Sequence, residues 1–488
     1  MSAMSKNNIS GRSKEISVLE RVFLSTEPEF IVIYGRRRVG KTYLVREYFG
    51  DSICFEITGM HQVSLDDQLA NFAQSLAKAA GMMFDLQKPL SWSEAFSQLE
   101  QFLDASDQHK QGKKQVVFLD ELPWLNTPRS KFLSTLEHFW NSYGSRQKNL
   151  ILVVCGSAAS WMLQNIVRAK GGLHNRLTHQ IRLMPFTLPE TEEFLLNRAI
   201  KLTRYQIVEL YMAMGGVPFY LMQAEAGLSA AQIIDQVCFS STGLLRSEYE
   251  KLYTSLFDES ELHMKIVELL SKKRSGLTRN EIVNGSKITT GGRLTRVLEE
   301  LEESGFIESR IPYGKKKQDL LYGLIDEFTL FYFFWIKPLG KRFLSSGYWM
   351  SRQNDPARKA WAGYAFETLC LKHVGALKSA LGIAMVETTD GPWRYKADQQ
   401  SPFPGVQIDL LIDRRDATIN LCEMKFSQSE FIIDASYAKE LRQKINVFRQ
   451  VTLTRKNIFL TMVTTYGVVN NAYSQELLTN TLTIEEMF

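Results

Sequence analysis

Residues Phe30–Thr42 read FIVIYGRRRVGKT. Ile31, Val32, Ile33 and Tyr34 form a short apolar run rich in β-branched residues, which predicts a buried strand. The run stops at Gly35, and Gly40, Lys41 and Thr42 complete the spacing G-x-x-x-x-G-K-[ST]. Tyr43-Leu44-Val45-Arg46-Glu47-Tyr48 continues as a helix. A strand, a glycine-bounded loop and a helix N-terminus together make a cradle for phosphate, because backbone N–H groups and the helix dipole face the anion. In such a cradle Lys41 reaches the β- and γ-phosphates and Thr42 ligates Mg²⁺. Gly35, Arg38, Gly40, Lys41, Thr42 and Tyr43 are therefore the first candidate nucleotide-binding residues.

The surrounding sequence extends this reading. Ile16, Leu19 and Phe23 recur at helical spacing before the loop. Ile53–Ile57 reads as a second strand, and Leu65–Ala80 and Trp92–Leu103 as amphipathic helices. Val116-Val117-Phe118-Leu119-Asp120-Glu121 is an apolar strand ending in two carboxylates. Asp120 at such a strand end can hold Mg²⁺ through water, and Glu121 can polarise the water that attacks the γ-phosphate. Leu150–Val154 and Ile181–Met184 complete five strands before residue 190, an α/β sheet with helices on both faces. Ser157, after the fourth strand, is either a γ-phosphate sensor or part of a plain turn. Arg176, in the polar loop Gly171-Gly172-Leu173-His174-Asn175-Arg176, is either an arginine finger, acting in cis or on a neighbour, or a surface arginine. From Pro189 to about Tyr253 the pattern is helical, broken by Gly215-Gly216-Val217-Pro218.

Composition narrows the class. The chain has 488 residues, enough for two to four domains, and a net charge of +5. That mild basicity is compatible with a polyanionic partner without specifying one. Five cysteines are scattered without a C-x-x-C pair. The set predicts a reducing compartment and excludes a disulfide or zinc framework. The opening MSAMSKNNIS lacks the apolar stretch of a secretory leader, so a cytoplasmic location is expected. The most apolar run, Phe328–Ile336, falls far short of the roughly 20 residues of a membrane span and reads as a buried helix.

The motifs GRRRVGKT, FLDELPWL, CGSAASWM, HNR and GGVPFYL, in this order, resemble the archaeal-type P-loop ATPases related to the AAA+ and STAND groups. Gly11, Arg12 and Glu15 match the G-R-x-x-E opening of that family. The resemblance implies a parallel sheet in the order 5-1-4-3-2, a helical lid and ATP as ligand. It also implies Glu121 as the hydrolytic residue, and it favours Ser157 as the γ-phosphate sensor and Arg176 as an arginine finger. The expected division is an ATPase core over 1–188 and a lid over 189–255.

Further along, His263–Leu270 reads as a helix, Thr278 starts a second, and Thr290 is expected to cap a third with Leu294, Val297, Leu298 and Leu301 on its apolar face. A hairpin from Gly305 follows, its tip holding Pro312–Lys317. Three helices then a β-ribbon predict a winged helix-turn-helix over 256–340. Arg293 and Arg296 lie on its recognition helix, and Lys315, Lys316 and Lys317 in its wing. These five are the candidate nucleic-acid contacts. The alternative is a joint that packs against its neighbours. Asp326–Trp335 resembles the connector that joins this module to a last domain in the same family; as chemistry, such an aromatic stripe is core.

The last domain, 341–488 and starting near Leu344, holds a second constellation. Val406–Ile412 and Ile419–Phe426 read as antiparallel strands that bring Asp409 beside Glu423. Period-2 geometry puts Glu423 and Lys425 on one face. Two carboxylates and a lysine are what metal-dependent phosphodiester cleavage requires. Asp409 and Glu423 would hold Mg²⁺ or Mn²⁺ with the Met424 carbonyl, and Lys425 would orient the water. With Glu367 from the preceding helix, the pattern E…D-x(13)-E-x-K resembles the PD-(D/E)XK nuclease superfamily, with Ile408 where the eponymous proline stands. Lys439, Arg442 and Lys444, on a helix from Asp434 to Phe448, read as solvated or as touching a nucleic-acid backbone. The sequence thus predicts an ATPase controlling a Mg²⁺-dependent nuclease, with DNA as the expected polymer and a homo-oligomer or protein partner. The alternative is a nucleotide-controlled DNA-binding, scaffold or signalling protein with an inert nuclease fold.

Overall fold

The structure, a computed structural model, describes residues 9–82, 86–106, 111–168, 173–288, 291–340, 347–397 and 399–488, apart from the side chains of residues 174 and 317. Gly171 and Gly172, the expected cap Thr290, the domain start near Leu344 and the Lys317 side chain lie outside the described residues. The chain divides into two compact units. One runs to Pro185 and includes Ser255–Asp258; the other is Phe186–Thr254 with Glu259–Phe488.

The first unit is built on five strands: β1 (Glu29–Tyr34), β2 (Ile53–Thr58), β3 (Gln115–Asp120), β4 (Leu150–Gly156) and β5 (His179–Arg182). All pair in parallel, in the order β2-β3-β4-β1-β5. This is the expected 5-1-4-3-2 read from the other edge. Alternation along the strands divides the apolar side chains between two cores. Phe30, Val32, Val117, Leu119, Leu152 and Val154 pack with helices Leu65–Ala79, Trp92–Ala105 and Phe132–Ser142. Ile31, Ile33, Val116, Phe118, Ile151 and Val153 pack with Ser13–Leu24 and Lys41–Phe49. Burying both faces is what near-continuous apolar strands require. Each fully buried Leu, Ile, Val or Phe contributes about 1.5–3 kcal/mol. The loops after β1, β3 and β4 leave the same edge of the sheet, since these three strands are parallel neighbours.

The second unit opens with helices Leu188–Asn197 and Arg204–Met214. The expected break follows at once. Gly215 has φ +65°, and a Cβ on Gly216 would stand 1.9 Å from the Phe186 carbonyl oxygen. The Phe186 N–H donates to the Gly216 carbonyl at 2.6 Å, and Tyr211 Oη donates to the Phe186 carbonyl at 2.7 Å. Here the glycines permit a close backbone approach.

Helices Ser260–Ser271, Arg279–Ser286 and Gly292–Glu303 follow. Thr278 and Glu281 form a reciprocal capping box at the second. Leu294, Val297, Leu298 and Leu301 are buried on the third, as the spacing predicts. β6 (Leu277–Thr278), β7 (Ile307–Arg310) and β8 (Leu321–Leu324) make an antiparallel sheet in the order β6-β8-β7. Phe328, Phe331 and Trp335 of the aromatic run are buried, and Phe331 and Trp335 meet Trp349 and Trp361 edge-on.

The C-terminal sheet comprises β9 (Thr388–Tyr395), β10 (Val406–Arg414), β11 (Thr418–Lys425), β12 (Asn457–Thr464) and β13 (Asn480–Leu482), in the order β13-β12-β11-β10-β9. β10 is antiparallel to β9 and β11, whereas β12 runs parallel to β11 and β13. Helix Ala435–Thr452 packs its Ala438, Leu441, Val447 and Phe448 with Ile408, Ile419 and Leu421. Among the described residues no helix is long and apolar enough to cross a membrane.

Candidate functional site

The loop Gly35–Gly40 is held by backbone constraints that explain its glycines. Gly35 has φ +148°, and a Cβ there would lie 2.2 Å from the Leu183 carbonyl oxygen. Gly40, at φ +91°, is the N-cap of helix Lys41–Phe49 and takes a left-handed conformation. Arg38 also has positive φ. Arg12, noted in the sequence only as part of an opening motif, ties the loop down. Its guanidinium donates to the carbonyls of Val39 at 3.0 Å and Met184 at 2.7 Å.

Lys41 is buried, and its Nζ donates to the carbonyls of Gly35 and Arg36, each at 3.0 Å. Burial lowers its pKa, against the opposing pull of Glu121 and Asp120. Thr42 Oγ1 donates to Asp120 Oδ2 at 2.8 Å. Burial raises the Asp120 carboxyl, and the Thr42 bond opposes it. Glu121 takes φ +47°, and its N–H donates to Asp120 Oδ1 at 3.0 Å. Its Oε2 accepts from the Ser157 N–H at 3.0 Å and from Ser157 Oγ at 2.7 Å. Ser157 therefore holds the Glu121 carboxylate through both its N–H and its hydroxyl.

Tyr43 is half exposed. Arg176 is exposed on the turn His174–Arg176, and no described contact joins it to the phosphate loop. The Thr42 hydroxyl and Asp120 carboxylate are a pair of hard oxygens that fits Mg²⁺, and Lys41 with the helix N-terminus fits phosphates.

In the second unit, Glu367, Asp409, Glu423 and Lys425 come together around β10 and β11. Asp409 Oδ2 accepts the Met424 N–H at 2.9 Å, which fixes one carboxylate across the strand pair. Glu423 is 1 % exposed. Burial pushes its carboxyl up to about 7, with Asp409 adding to the shift and Lys444 opposing it. Burial also raises Glu367 to about 7, aided by Asp409 and Glu423 and opposed by Lys425. Like charges on a buried edge resist ionisation together.

Glu423 Oε2 accepts from Lys444 Nζ at 2.6 Å and from Tyr437 Oη at 3.4 Å, while its Oε1 is buried without a hydrogen-bond partner. Lys425 Nζ lies 5.2 Å from the centre of the Tyr437 ring. A buried carboxylate oxygen with no partner, beside a second carboxylate, suits a hard divalent cation. No group of three or more His, Cys, Asp or Glu that could hold a metal ion occurs among the described residues.

The sequence does not mark Tyr437 and Lys444 as members of this site. Lys444 reads there as solvated or as a backbone contact, but the structure corrects this: it is turned onto Glu423. The available signal was their separation of seven residues, which places both on one face of the helix. Arg442 pairs instead with Glu476 at 2.6 Å, and Lys439 is exposed.

The expected nucleic-acid residues divide. Arg293 and Arg296 both pair with Glu259, at 2.5 and 2.7 Å, while staying exposed. Lys315 and Lys316 are exposed. At the same ribbon tip, Tyr313 Oη donates to Asp413 Oδ2 at 3.1 Å, and its ring lies 6.1 Å from that of Phe448. The tip is thus docked on the C-terminal sheet and its helix.

Residues 10–224 match the family model described as an ATPase domain predominantly from Archaea. This part of the chain is an archaeal-type ATPase domain. The match contains the phosphate loop, Asp120, Glu121 and Ser157, and it ends before the second constellation. An uncharacterised protein of Methanocaldococcus jannaschii is 24 % identical over 403 residues, which is 82 % of this chain and 83 % of that protein. Among solved structures, a Walker-type ATPase of Pyrococcus abyssi is 16 % identical with a TM-score of 0.48, covering 68 % of this chain and 97 % of that one. The ORC2 protein of Aeropyrum pernix, solved in ADPNP and ADP complexes, is 14 % identical with a TM-score of 0.41, covering 76 % and 97 %.

Proposed function

We propose that this ATPase couples its nucleotide cycle to metal-dependent cleavage of nucleic-acid phosphodiester bonds, with DNA as the polymer. The observation that carries the reading is the convergence of Glu367, Asp409, Glu423 and Lys425, including a buried carboxylate oxygen left without a partner. Asp409, Glu423 and the Met424 carbonyl would hold Mg²⁺ or Mn²⁺, which when bound supplies Lewis acidity toward phosphate oxygen and an acidified water. Lys425 would orient that water and offset charge on the phosphate, and Glu367 would complete the anionic edge.

At the other site, Lys41 and the helix N-terminus would hold the phosphates of ATP, with Thr42 and Asp120 on Mg²⁺. Glu121, gripped by Ser157, would orient the attacking water, and loss of that grip is the way γ-phosphate would be sensed. Arg176, exposed on its turn, would act as an arginine finger in cis or on a neighbouring subunit of a homo-oligomer. Residues 256–340 are read as a winged helix-turn-helix and 341–488 as a PD-(D/E)XK-like domain in a cytoplasmic protein.

The second reading is a nucleotide-controlled DNA-binding or signalling protein with an inert nuclease fold. The ion pair between Lys444 and Glu423 favours it, because an ammonium already neutralises a ligand carboxylate. Cleavage assays with single- and double-stranded DNA and RNA, in Mg²⁺ or Mn²⁺ and with or without ATP, separate the two. Wild type is expected to cut at least one polymer and Lys425→Ala none. Equal behaviour of both on every substrate overturns the nuclease reading.

A further inference from the structure

Two lysines stand near the carboxylates of the C-terminal sheet, and they are held differently. Lys425, from the strand, sits over the Tyr437 ring, and no carboxylate lies within ion-pair distance of it among the described residues. Lys444, from the helix, is bound to Glu423 at 2.6 Å, with both side chains largely buried. Lys444 has a second carboxylate in reach: Glu440, one helical turn earlier and exposed, lies 3.3 Å from the same ammonium. Glu423 meanwhile keeps Oε1 buried and without a partner.

We propose that Lys444 is a built-in counter-ion for Glu423, which a divalent cation displaces toward Glu440, so that this lysine sets the metal affinity of the site. The inference rests on the reading of Asp409 and Glu423 as the metal-holding pair. Three physical points support it. An unpaired buried carboxylate is costly, so the apo site needs a positive charge, and Lys444 supplies it. A bound dication and an ammonium on one carboxylate repel each other, so the lysine opposes metal entry. Glu440, already 3.3 Å from the ammonium and exposed, keeps it paired on the solvent side without a rearrangement of the helix. Tyr437 keeps the geometry of Glu423 through its hydroxyl while its ring stations Lys425, so the second lysine stays in place during the exchange.

The test is Mn²⁺ binding by electron paramagnetic resonance of the free ion, with full-length protein, no nucleotide and mildly alkaline buffer. Variants are Lys444→Met, Lys444→Arg, Glu440→Gln and Glu423→Gln. Lys444→Met is expected to bind Mn²⁺ about tenfold or more tightly than wild type, because an uncompensated buried carboxylate gains most from the cation. Lys444→Arg should stay near wild type, Glu440→Gln should bind more weakly, and Glu423→Gln should lose this class of site. Lys444→Met should also melt at lower temperature without metal and regain stability with Mn²⁺. If it folds only with Mn²⁺, that recovery supports the proposal, and failure to recover overturns it. Unchanged or weaker Mn²⁺ affinity in Lys444→Met overturns it too. Tighter Mn²⁺ binding without cleavage of any polymer leaves the counter-ion role standing and removes the nuclease reading. Cleavage with unchanged affinity does the reverse.

Discussion

Glu367→Gln should make the protein more stable at alkaline pH while impairing the site. Burial first, and then Asp409 and Glu423, raise the Glu367 carboxyl from 4.5 to about 7. Below about pH 4.5 the group is protonated in both folded and unfolded chains and contributes nothing. Between about 4.5 and 7 the folded chain holds the proton more tightly, so stability falls as pH rises through that window. Above about pH 7 the full cost is present, about 3 kcal/mol from the size of the shift. Glu367 is partly exposed, and solvent screening reduces this to about 1–2 kcal/mol. Gln has the same shape and no charge, so the variant should gain that amount at about pH 8 and nothing near pH 4. Guanidinium denaturation in chelator measures it, read from tryptophan fluorescence, to which Trp361 on the same helix as Glu367 contributes. If Glu367→Gln is no more stable than wild type at pH 8, or gains equally at both pH values, the Glu367 carboxyl is not held in a buried, anion-crowded site.

Gly35→Ala combines a left-handed φ with a Cβ 2.2 Å from the Leu183 carbonyl, so the phosphate loop must move. Isothermal titration should find ATP bound at least about tenfold more weakly, from strain of a few kcal/mol. Replacing Arg293 and Arg296 together by Ala should weaken DNA binding uniformly across sequences. It should also lower the slope of log K against log salt by about 1 for each phosphate these arginines neutralise. An unchanged slope removes this helix from the interface. Glu121→Gln should bind ATP but turn over at least about a hundredfold more slowly, checked by phosphate release; unchanged turnover removes Glu121 from its role.

The ATPase core is legible in the sequence because its chemistry and its fold share the same residues. The apolar strands β1, β3 and β4 are each buried on both faces, and they end at the Gly35–Gly40 loop, at Asp120 and just before Ser157. The C-terminal sheet is only half legible. β10 and β11 announce themselves by dense apolar residues, whereas β9 is polar and largely exposed, with Gly391 and Pro392 in its middle, and β13 has three residues. Neither carries a period strong enough to read. Glu423 and Lys425 are visible as a motif. Lys444 is not, because a lysine on an amphipathic helix looks the same whether it faces water or a carboxylate contributed by a distant strand. Gly215 and Gly216 read as a break, but their reason, a backbone contact with Phe186 and packing against Glu327, is tertiary.

The proposed control of C-terminal phosphodiester cleavage by the phosphate loop is tested most directly by the cleavage rate of wild type and of Lys41→Ala, each with and without ATP, in saturating Mg²⁺. ATP should change the wild-type rate and leave the Lys41→Ala rate unchanged. A wild-type protein that hydrolyses ATP yet cuts at the same rate with and without it would contradict that control.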